Sequence, residues 1–207
     1  FASDAQIQVT FVRTTAELQP CDLIILPGSK HVSSDLNWLK AQGFEEKIKL
    51  HLRYNGKVLG ICGGLQMLGE SIHAADVEGQ NCLGLGLLPV STTMMPEKTL
   101  RQIDQNALYP NQEHITGYEI HHGLSNMDEQ LFPFAAISSD KQVWGTYIHG
   151  VFAQGLFRQA WLSSLGFYVD DNTNQDEKTM KSLDHLADEL EKNIKPQLLN
   201  NILDMAQ

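Results

Sequence analysis

Through residues 22–69 the chain alternates between short apolar stretches and stretches whose apolar positions have helical spacing. Asp22–Leu26 is apolar after its first residue, which predicts a central strand of a parallel sheet. A helix capped at Ser34 or Asp35 is predicted next, and Phe44–Arg53 has the pattern of an amphipathic helix. Because strands and helices alternate in this way, we predict an α/β fold with an open, mostly parallel, doubly wound sheet and flanking helices.

Other segments have the two-residue alternation of half-buried strands. Ile7–Val12, Ile115–His122 and Gln142–Ile148 are each predicted to be strands. The polar segment Met95–Glu113 lies between them and is predicted to be an irregular, exposed excursion.

Helical patterns return towards the end of the sequence. Leu156–Leu165 predicts one helix, and a longer pattern follows residue 174 until Pro196 breaks or kinks it. We predict an α/β domain over residues 1–169 and a helical extension over residues 170–207 that packs on the same domain. The apolar stripe of the long helix is typical of packing, against the sheet of this domain or against a partner. Its members are Met180, Leu183, Ala187, Leu190 and Ile194.

The net charge, the apolar runs and the cysteines of the sequence limit the kinds of partner that are expected. A formal net charge of −10 disfavours nucleic acid, whose phosphates require basic patches. No apolar run reaches the roughly 18 residues of a membrane span, so no membrane partner is expected. The three cysteines, Cys21, Cys62 and Cys82, form no CxxC pair. They indicate a reducing cytoplasm and argue against disulfides or a bound metal.

Cys62 lies where the predicted strand Lys57–Ile61 meets the predicted helix Gly63–Leu68, and small residues surround it. A side chain on a sharp strand-to-helix turn requires such neighbours, because the backbone there is crowded. The start of the following helix favours a thiolate and a developing oxyanion. Cys62 is therefore a candidate nucleophile. The alternative is a buried cysteine in a glycine-rich turn.

His149 is the second candidate, because it follows the predicted strand Gln142–Ile148 and precedes a glycine. An imidazole can take the proton of a thiol and later protonate a leaving amine. The alternative for a single histidine is a structural residue at a strand end, and the presence of Cys62 favours the catalytic interpretation.

Several ordered motifs together resemble one family, although each motif alone is weak evidence. The segment around Cys62 is similar to the nucleophile motif of class I glutamine amidotransferases. The others narrow the resemblance to the glutaminase domain of the cobyric acid synthase family, over residues 7–165. The motifs are Leu26-Pro-Gly-Ser-Lys30, Trp38-Leu39, Gly60-Ile-Cys62-Gly-Gly-Leu-Gln66, Gly84-Leu-Gly-Leu-Leu88, Gly117-Tyr-Glu-Ile-His121 and Gly145-Thr-Tyr-Ile-His-Gly-Val-Phe152.

The resemblance assigns roles to individual residues. Cys62 matches the nucleophile that forms a glutamyl thioester, and His149 matches its acid/base partner. The backbone N–H groups of Gly28 and Gly63 match the donors of the oxyanion hole. Gln66 matches a glutamine expected near the bound substrate, with a surface position on the helix as the alternative.

One departure concerns the third member of the catalytic triad. Triad amidotransferases carry Glu two residues after the histidine, where this chain has Val151, which cannot orient an imidazole. The cobyric acid synthase branch is similar in lacking that Glu. Strand alternation places Glu119 and His121 on one face, as candidates for the orienting group or for the acceptor-facing side. They can equally be ordinary polar strand residues.

The resemblance implies a glutaminase that supplies ammonia for the ATP-dependent amidation of corrin-ring carboxylates in cobalamin biosynthesis. In the family, ATP and Mg²⁺ bind a separate amino-terminal synthetase domain of the same polypeptide, and the corrin acceptor is reached through it. This chain has no GxxxxGK[ST] phosphate loop, so we expect a carboxyl-terminal fragment with no cofactor of its own.

Other functions stay open at this point. One is the glutaminase domain of a related amidotransferase, such as cobyrinate a,c-diamide synthase or a cell-wall enzyme. A cysteine hydrolase of another kind is more remote. A non-catalytic interaction module of the same fold is disfavoured, because such a scaffold has no need of Cys62, His149 and the glycine donors together.

Overall fold

The computed structural model describes residues 1–74, 81–194 and 198. Within these residues, short parallel strands and flanking helices build one part of the fold and a long hairpin builds another. The strands are β1 (Leu23–Leu26), β2 (Lys57–Ile61), β3 (Ser71–His73), β4 (Cys82–Leu83), β5 (Ser91–Asn106), β6 (His114–Ser125), β7 (Ala136–Ile137), β8 (Val143–Thr146) and β9 (Ile148–His149). The α-helices are α1 (Val32–Ala41), α2 (Phe44–Arg53), α3 (Gly63–Leu68), α4 (Gly155–Ser164) and α5 (Gln175–Asn193), and Glu129–Leu131 is a 3₁₀ turn.

The first sheet has the strand order β1-β2-β8-β7. β1, β2 and β8 are parallel, and β7 runs antiparallel to β8 at the edge. Val58 and Leu59 in β2 are both fully buried, and they belong to apolar clusters on opposite faces of this sheet. A strand buried on both faces is apolar throughout, and for this reason its sequence does not alternate.

The second sheet has the order β4-β3-β5-β6-β9 and is mostly antiparallel. Its centre is the long hairpin of β5 and β6, and β9 adds to the outer side of β6. The chain leaves the first sheet at Thr146 and enters the second at Ile148, so that Tyr147 alone joins β8 to β9. The α/β fold is confirmed, with two mixed sheets in place of a single one.

Helix α3 lies unusually close to β1 and β2 because two glycines allow the approach. A Cβ atom on Gly64 would lie 2.0 Å from the carbonyl oxygen of Leu26, and one on Gly60 would lie 2.6 Å from the backbone of Gly64. Real Cβ atoms do not tolerate such distances, so only glycine fits at either position. The approach brings the start of α3 to the carboxyl ends of both strands.

Two of the predicted segments are wrong. Ile7–Val12 forms no strand, because no described strand pairs with it. Most of its side chains are exposed, Phe11 to 90%, and Ile7 packs against the core. β1 consequently lies at the edge of its sheet, not at the centre. Met95–Glu113 is predicted to be irregular, yet most of it lies in β5, which extends to Asn106 and pairs with β6. The side chains of β5 are mostly polar, since much of both faces of the β5–β6 hairpin is exposed to solvent.

The helix predictions hold more closely. α2 and α3 have the predicted bounds, and α1 begins at Val32, where no side chain caps it. Asp35 instead accepts a hydrogen bond from Ser29 in the preceding loop.

Helix α5 contributes no buried residue, and its apolar side chains Met180, Leu183, Leu186 and Leu190 are exposed. The division into residues 1–169 and 170–207, and the packing of the second part on the first, stay predictions. The predicted break at Pro196 lies outside the described residues. Among the described helices, none has the length and apolar character that crossing a bilayer requires.

The two neighbouring residues Leu156 and Phe157 on α4 provide a matched test of the core. Phe157 is completely buried among aromatic side chains, whereas Leu156 is 51% exposed. We predict that Phe157→Ala lowers the free energy of unfolding by about 3–5 kcal/mol, through lost burial and the cavity left behind. Leu156→Ala should lower it by less than about 1 kcal/mol. Urea unfolding of both variants measures the difference, and equal losses would contradict this description of the core.

Candidate active site

Cys62 is the single residue between the end of β2 and the start of α3. Its backbone has φ 53° and ψ −111°, in the region that residues with a side chain rarely adopt. Such a conformation costs on the order of 1–3 kcal/mol and persists only where the surroundings enforce it. The Cys62 N–H donates to the carbonyl of Thr146 in β8 at 2.8 Å, which ties the turn to the first sheet. The turn therefore has the geometry of a nucleophile elbow.

The loop after β1 lies against this turn. A Cβ atom on Gly63 would lie 2.7 Å from the amide nitrogen of Ser29. A Cβ atom on Gly28 would lie 3.4 Å from Cε1 of His149 and 3.8 Å from Cβ of Cys62. The structure thus brings Gly28, Cys62, Gly63 and His149 together. Gly28 therefore lies within van der Waals reach of both Cys62 and the imidazole of His149.

His149 ends β9, and Cε1 of its imidazole lies beside Gly28. The ring of Tyr118 stacks on it, with 5.1 Å between centroids and 10° between planes. Nε2 of His149 is buried and has no hydrogen-bond partner among the described residues. Burial lowers the pKa of His149 below its ordinary value, so the imidazole is neutral at neutral pH. A neutral imidazole is the form that can accept a proton.

The Cys62 thiol donates a hydrogen bond to the carbonyl of Ile120 in β6, with a sulfur–oxygen distance of 3.6 Å. Burial raises the pKa of the thiol, and the N–H of Gly63 opposes this with a smaller effect. The helix start therefore acts in the predicted direction, but desolvation outweighs it. The resting residue is a neutral thiol that needs a base to become a nucleophile.

Gln66 lies on α3 one turn after Cys62 and is buried, which excludes the surface position that was its alternative. Its Nε2 donates to the carbonyl of His122 at 3.0 Å and to the hydroxyl of Tyr147 at 3.2 Å. The Tyr147 hydroxyl also hydrogen-bonds Ser125. Gln66 thereby links α3 to the second sheet, and its contact with a bound glutamine stays a prediction.

Glu119 and His121 have other partners than His149. The Glu119 carboxylate accepts a hydrogen bond from Arg101 at 3.3 Å. The ring of His121 stacks on Tyr147, with 3.8 Å between centroids, and its Nδ1 lies 3.2 Å from the carbonyl of Gly123. Val151 is buried in the apolar core.

No carboxylate of the described residues therefore hydrogen-bonds the imidazole of His149. Within that same part of the chain, no three His, Cys, Asp or Glu side chains are grouped to hold a metal ion.

The profile of the CobB/CobQ-like glutamine amidotransferase domain matches residues 1–157, which is most of the sequence and includes every residue of the site. The chain belongs to this family.

Individual members of this amidotransferase family give a finer comparison. The chain is 45% identical over 196 residues to the cobyric acid synthase of Halorhodospira halophila (strain DSM 244 / SL1), covering 94% of this chain and 41% of that protein. It is 42% identical over 202 residues to the cobyric acid synthase of Photobacterium profundum, covering 92% and 41%. The chain thus spans about two fifths of the length of these relatives.

A solved structure described as a glutamine amidotransferase has the same fold. The TM-score is 0.56 at 14% identity, and the match covers 78% of this chain and 88% of that one. At this level of identity the likeness concerns the amidotransferase fold and carries no residue roles.

Nothing in the local sequence pattern singles out Tyr118 or Tyr147, although both lie in the quoted motifs. Tyr118 faces His149 because β6 and β9 pair antiparallel with these two residues opposite each other. Tyr147 is buried because it occupies the crossing between the two sheets. Both positions depend on pairing between distant segments, which a local pattern does not contain.

The protonation state of the thiol generates a direct test. We predict that the ultraviolet absorbance of the Cys62 thiolate develops only above the ordinary thiol pKa of about 8.5, because burial disfavours the charged form. The titration is measured as the difference between the protein and its Cys62→Ser variant, which removes the contributions of Cys21 and Cys82. A thiolate already present at pH 7 would contradict the prediction.

Proposed function

We propose that this domain hydrolyses the side-chain amide of glutamine, with Cys62 as the nucleophile and His149 as the acid/base. The observation that carries the proposal is the enforced positive φ of Cys62 at a point where Gly28 and His149 also converge. A strained backbone that presents one reactive side chain beside a neutral imidazole is typical of a catalytic site.

The chemistry proceeds in two halves. Sγ of Cys62 attacks the amide carbon of glutamine while its proton passes to His149. The carbon–nitrogen bond then breaks, and the nitrogen takes the proton from His149 and leaves as ammonia. Water activated by His149 attacks the resulting thioester, which releases glutamate and restores the thiol. Because burial raises the pKa of the thiol and lowers that of the imidazole, the resting site holds a protonated Cys62 and an unprotonated His149, which are the proton donor and acceptor that the first step requires.

The backbone N–H groups of Gly28 and Gly63 are proposed to stabilise the tetrahedral oxyanion. The loop after β1 lies against the first residue of α3, which places Gly28 and Gly63 close to each other. Backbone donors fixed in this way need no reorganisation as charge develops on the oxygen. Loss of one such donor costs about 3 kcal/mol in known cases, which makes the conformation of the Gly28 peptide important for the rate.

The destination of the ammonia is proposed from the relatives. They are named cobyric acid synthases and are more than twice as long as this chain. We propose that the remainder of such a protein, as an amino-terminal synthetase domain, binds ATP and Mg²⁺ and the corrin acceptor. The domain described here would supply the ammonia that the synthetase domain uses. The names of the relatives favour this substrate over those of the a,c-diamide synthase and the cell-wall enzymes.

A glutamine-like electrophile tests the nucleophile without requiring turnover. We predict that 6-diazo-5-oxonorleucine forms one covalent adduct, at Cys62, because only this thiol lies beside an acid/base and backbone donors. Peptide mass spectrometry locates the label, and glutaminase assays follow ammonia release.

Cys62→Ser should abolish both the labelling and the release of ammonia, whereas Cys21→Ser and Cys82→Ser should retain them. Labelling at Cys21 or Cys82 would refute the assignment. An unlabelled protein without glutaminase activity would instead support a non-catalytic module.

The role of Glu119 generates a second test. Because its carboxylate pairs with Arg101 and not with His149, we predict that Glu119→Gln lowers glutaminase turnover by about tenfold or less. Steady-state kinetics measure the change, and circular dichroism confirms that the fold is intact. A thousandfold loss in a folded variant would show that Glu119 is the missing orienting group.

A further inference from the structure

The imidazole of His149 lacks the hydrogen bond that normally orients a catalytic histidine. An imidazole that acts as a base is normally held by a hydrogen bond from its second nitrogen to a carboxylate or carbonyl. Here the place of the triad glutamate is taken by Val151, which is buried in the core. Glu119 is engaged by Arg101, and Nε2 of His149 has no partner among the described residues. Hydrogen bonding therefore does not account for the orientation of the ring.

Tyr118 contacts the imidazole in a defined way. It lies directly opposite His149 in the antiparallel pairing of β6 with β9, so both side chains project from the same face of the sheet. Their rings are almost parallel, at 10°, with centroids 5.1 Å apart. This is the offset stacking that aromatic pairs prefer.

The backbone around Tyr118 is firmly placed. Gly117, the residue before it, lies so close to β9 that a Cβ atom there would be 2.4 Å from the carbonyl of His149. On its other side Tyr118 pairs with Gln102 of β5. Tyr118 therefore lies on a strand that is paired on both edges. The fixed backbone limits the movement of its ring, and so of the imidazole that stacks on it.

We propose that Tyr118 is the positioning residue of His149, and that its ring holds the imidazole by stacking in place of the absent carboxylate. The proposal rests on the proposed function, because it assigns a task to His149. Tyr118 covers one face of the His149 imidazole, and Gly28 lies next to its Cε1 atom. Rotation about the Cβ–Cγ bond that tilts the imidazole out of this plane would break the stack, so the stack fixes the plane of the ring.

Stacking uses the face of the tyrosine ring and not its hydroxyl. The matched pair of variants is therefore Tyr118→Phe, which keeps the ring, and Tyr118→Leu, which removes it. Since Tyr118 is 47% exposed, neither change opens a cavity in the core. The control is Tyr168→Leu, the same change at a tyrosine that is largely exposed elsewhere.

Kinetics give the first measurement. A misplaced catalytic group can cost a factor of about a hundred in rate, so Tyr118→Leu should lower kcat for glutamine hydrolysis by at least about tenfold. KM should change by less than about threefold, because the ring is assigned to the base and not to the substrate. Tyr118→Phe and Tyr168→Leu should both stay within about threefold of the unaltered protein in kcat.

The pH profile is the readout that general destabilisation would not move. Loss of the ring admits water to His149, so the midpoint of the acid limb of kcat/KM should rise towards the ordinary histidine value of about 6.5 in Tyr118→Leu. It should not rise in Tyr118→Phe. Both variants keep the other titratable and charged side chains near this site, which are Cys62, Arg101, Glu119 and His121.

Nuclear magnetic resonance of ¹³C-labelled histidine separates failure of this proposal from failure of the proposed function. A ring current from Tyr118 should shift the His149 proton signals upfield in the unaltered protein and in Tyr118→Phe, and the shift should vanish in Tyr118→Leu. The signals are assigned by their loss in His149→Gln. This readout does not need glutaminase activity.

Three results would overturn the proposal. One is the absence of any ring-current shift in the unaltered protein. Another is an unchanged kcat in Tyr118→Leu when the unaltered protein is an active glutaminase. The third is an equal loss in Tyr118→Phe and Tyr118→Leu, which would assign the effect to the hydroxyl.

Discussion

The site depends on the close approach of helix α3 to the strands β1 and β2. Gly60 and Gly64 permit this approach, since a side chain at either position would collide with backbone atoms. Once the helix begins so near the sheet, the chain must turn within one residue. That residue is Cys62, held at a positive φ by the strand before it and the helix after it. The strain at the cysteine is thus sustained by packing elsewhere.

Burial then sets the protonation states of the two reactive groups. It raises the pKa of the Cys62 thiol and lowers that of His149, so both are uncharged at neutral pH. At neutral pH this pair therefore contains no cysteine thiolate. In the proposed reaction the thiol is activated only as the imidazole takes its proton, so the position of the imidazole would control the reactivity of Cys62. The second sheet supplies the walls around this pair, because β6 offers the carbonyl of Ile120 to the thiol and the ring of Tyr118 to the imidazole.

The local parts of this site can be predicted from the sequence, and the parts that depend on distant pairing cannot. The glycines around Cys62 predict the turn, and the apolar run of β2 predicts a buried strand, because both depend on adjacent residues. The motif resemblance correctly predicts the family. The alternation in Ile115–His122 places Glu119 and Tyr118 on opposite faces, but only the pairing register puts Tyr118 opposite His149 and on the same face of the sheet. For the same reason the polar segment after Met95 looks irregular, since the hydrogen bonds that make it a strand come from β6.

A crystal structure of the 6-diazo-5-oxonorleucine adduct would test the central claim most directly. The account predicts a bond from Sγ of Cys62 to the inhibitor, with the ketone oxygen directed at the N–H groups of Gly63 and Gly28. Cys62 should keep its positive φ, and the ring of His149 should remain stacked on Tyr118. An adduct whose oxygen points to solvent, or a Cys62 relaxed to ordinary backbone angles, would contradict the account.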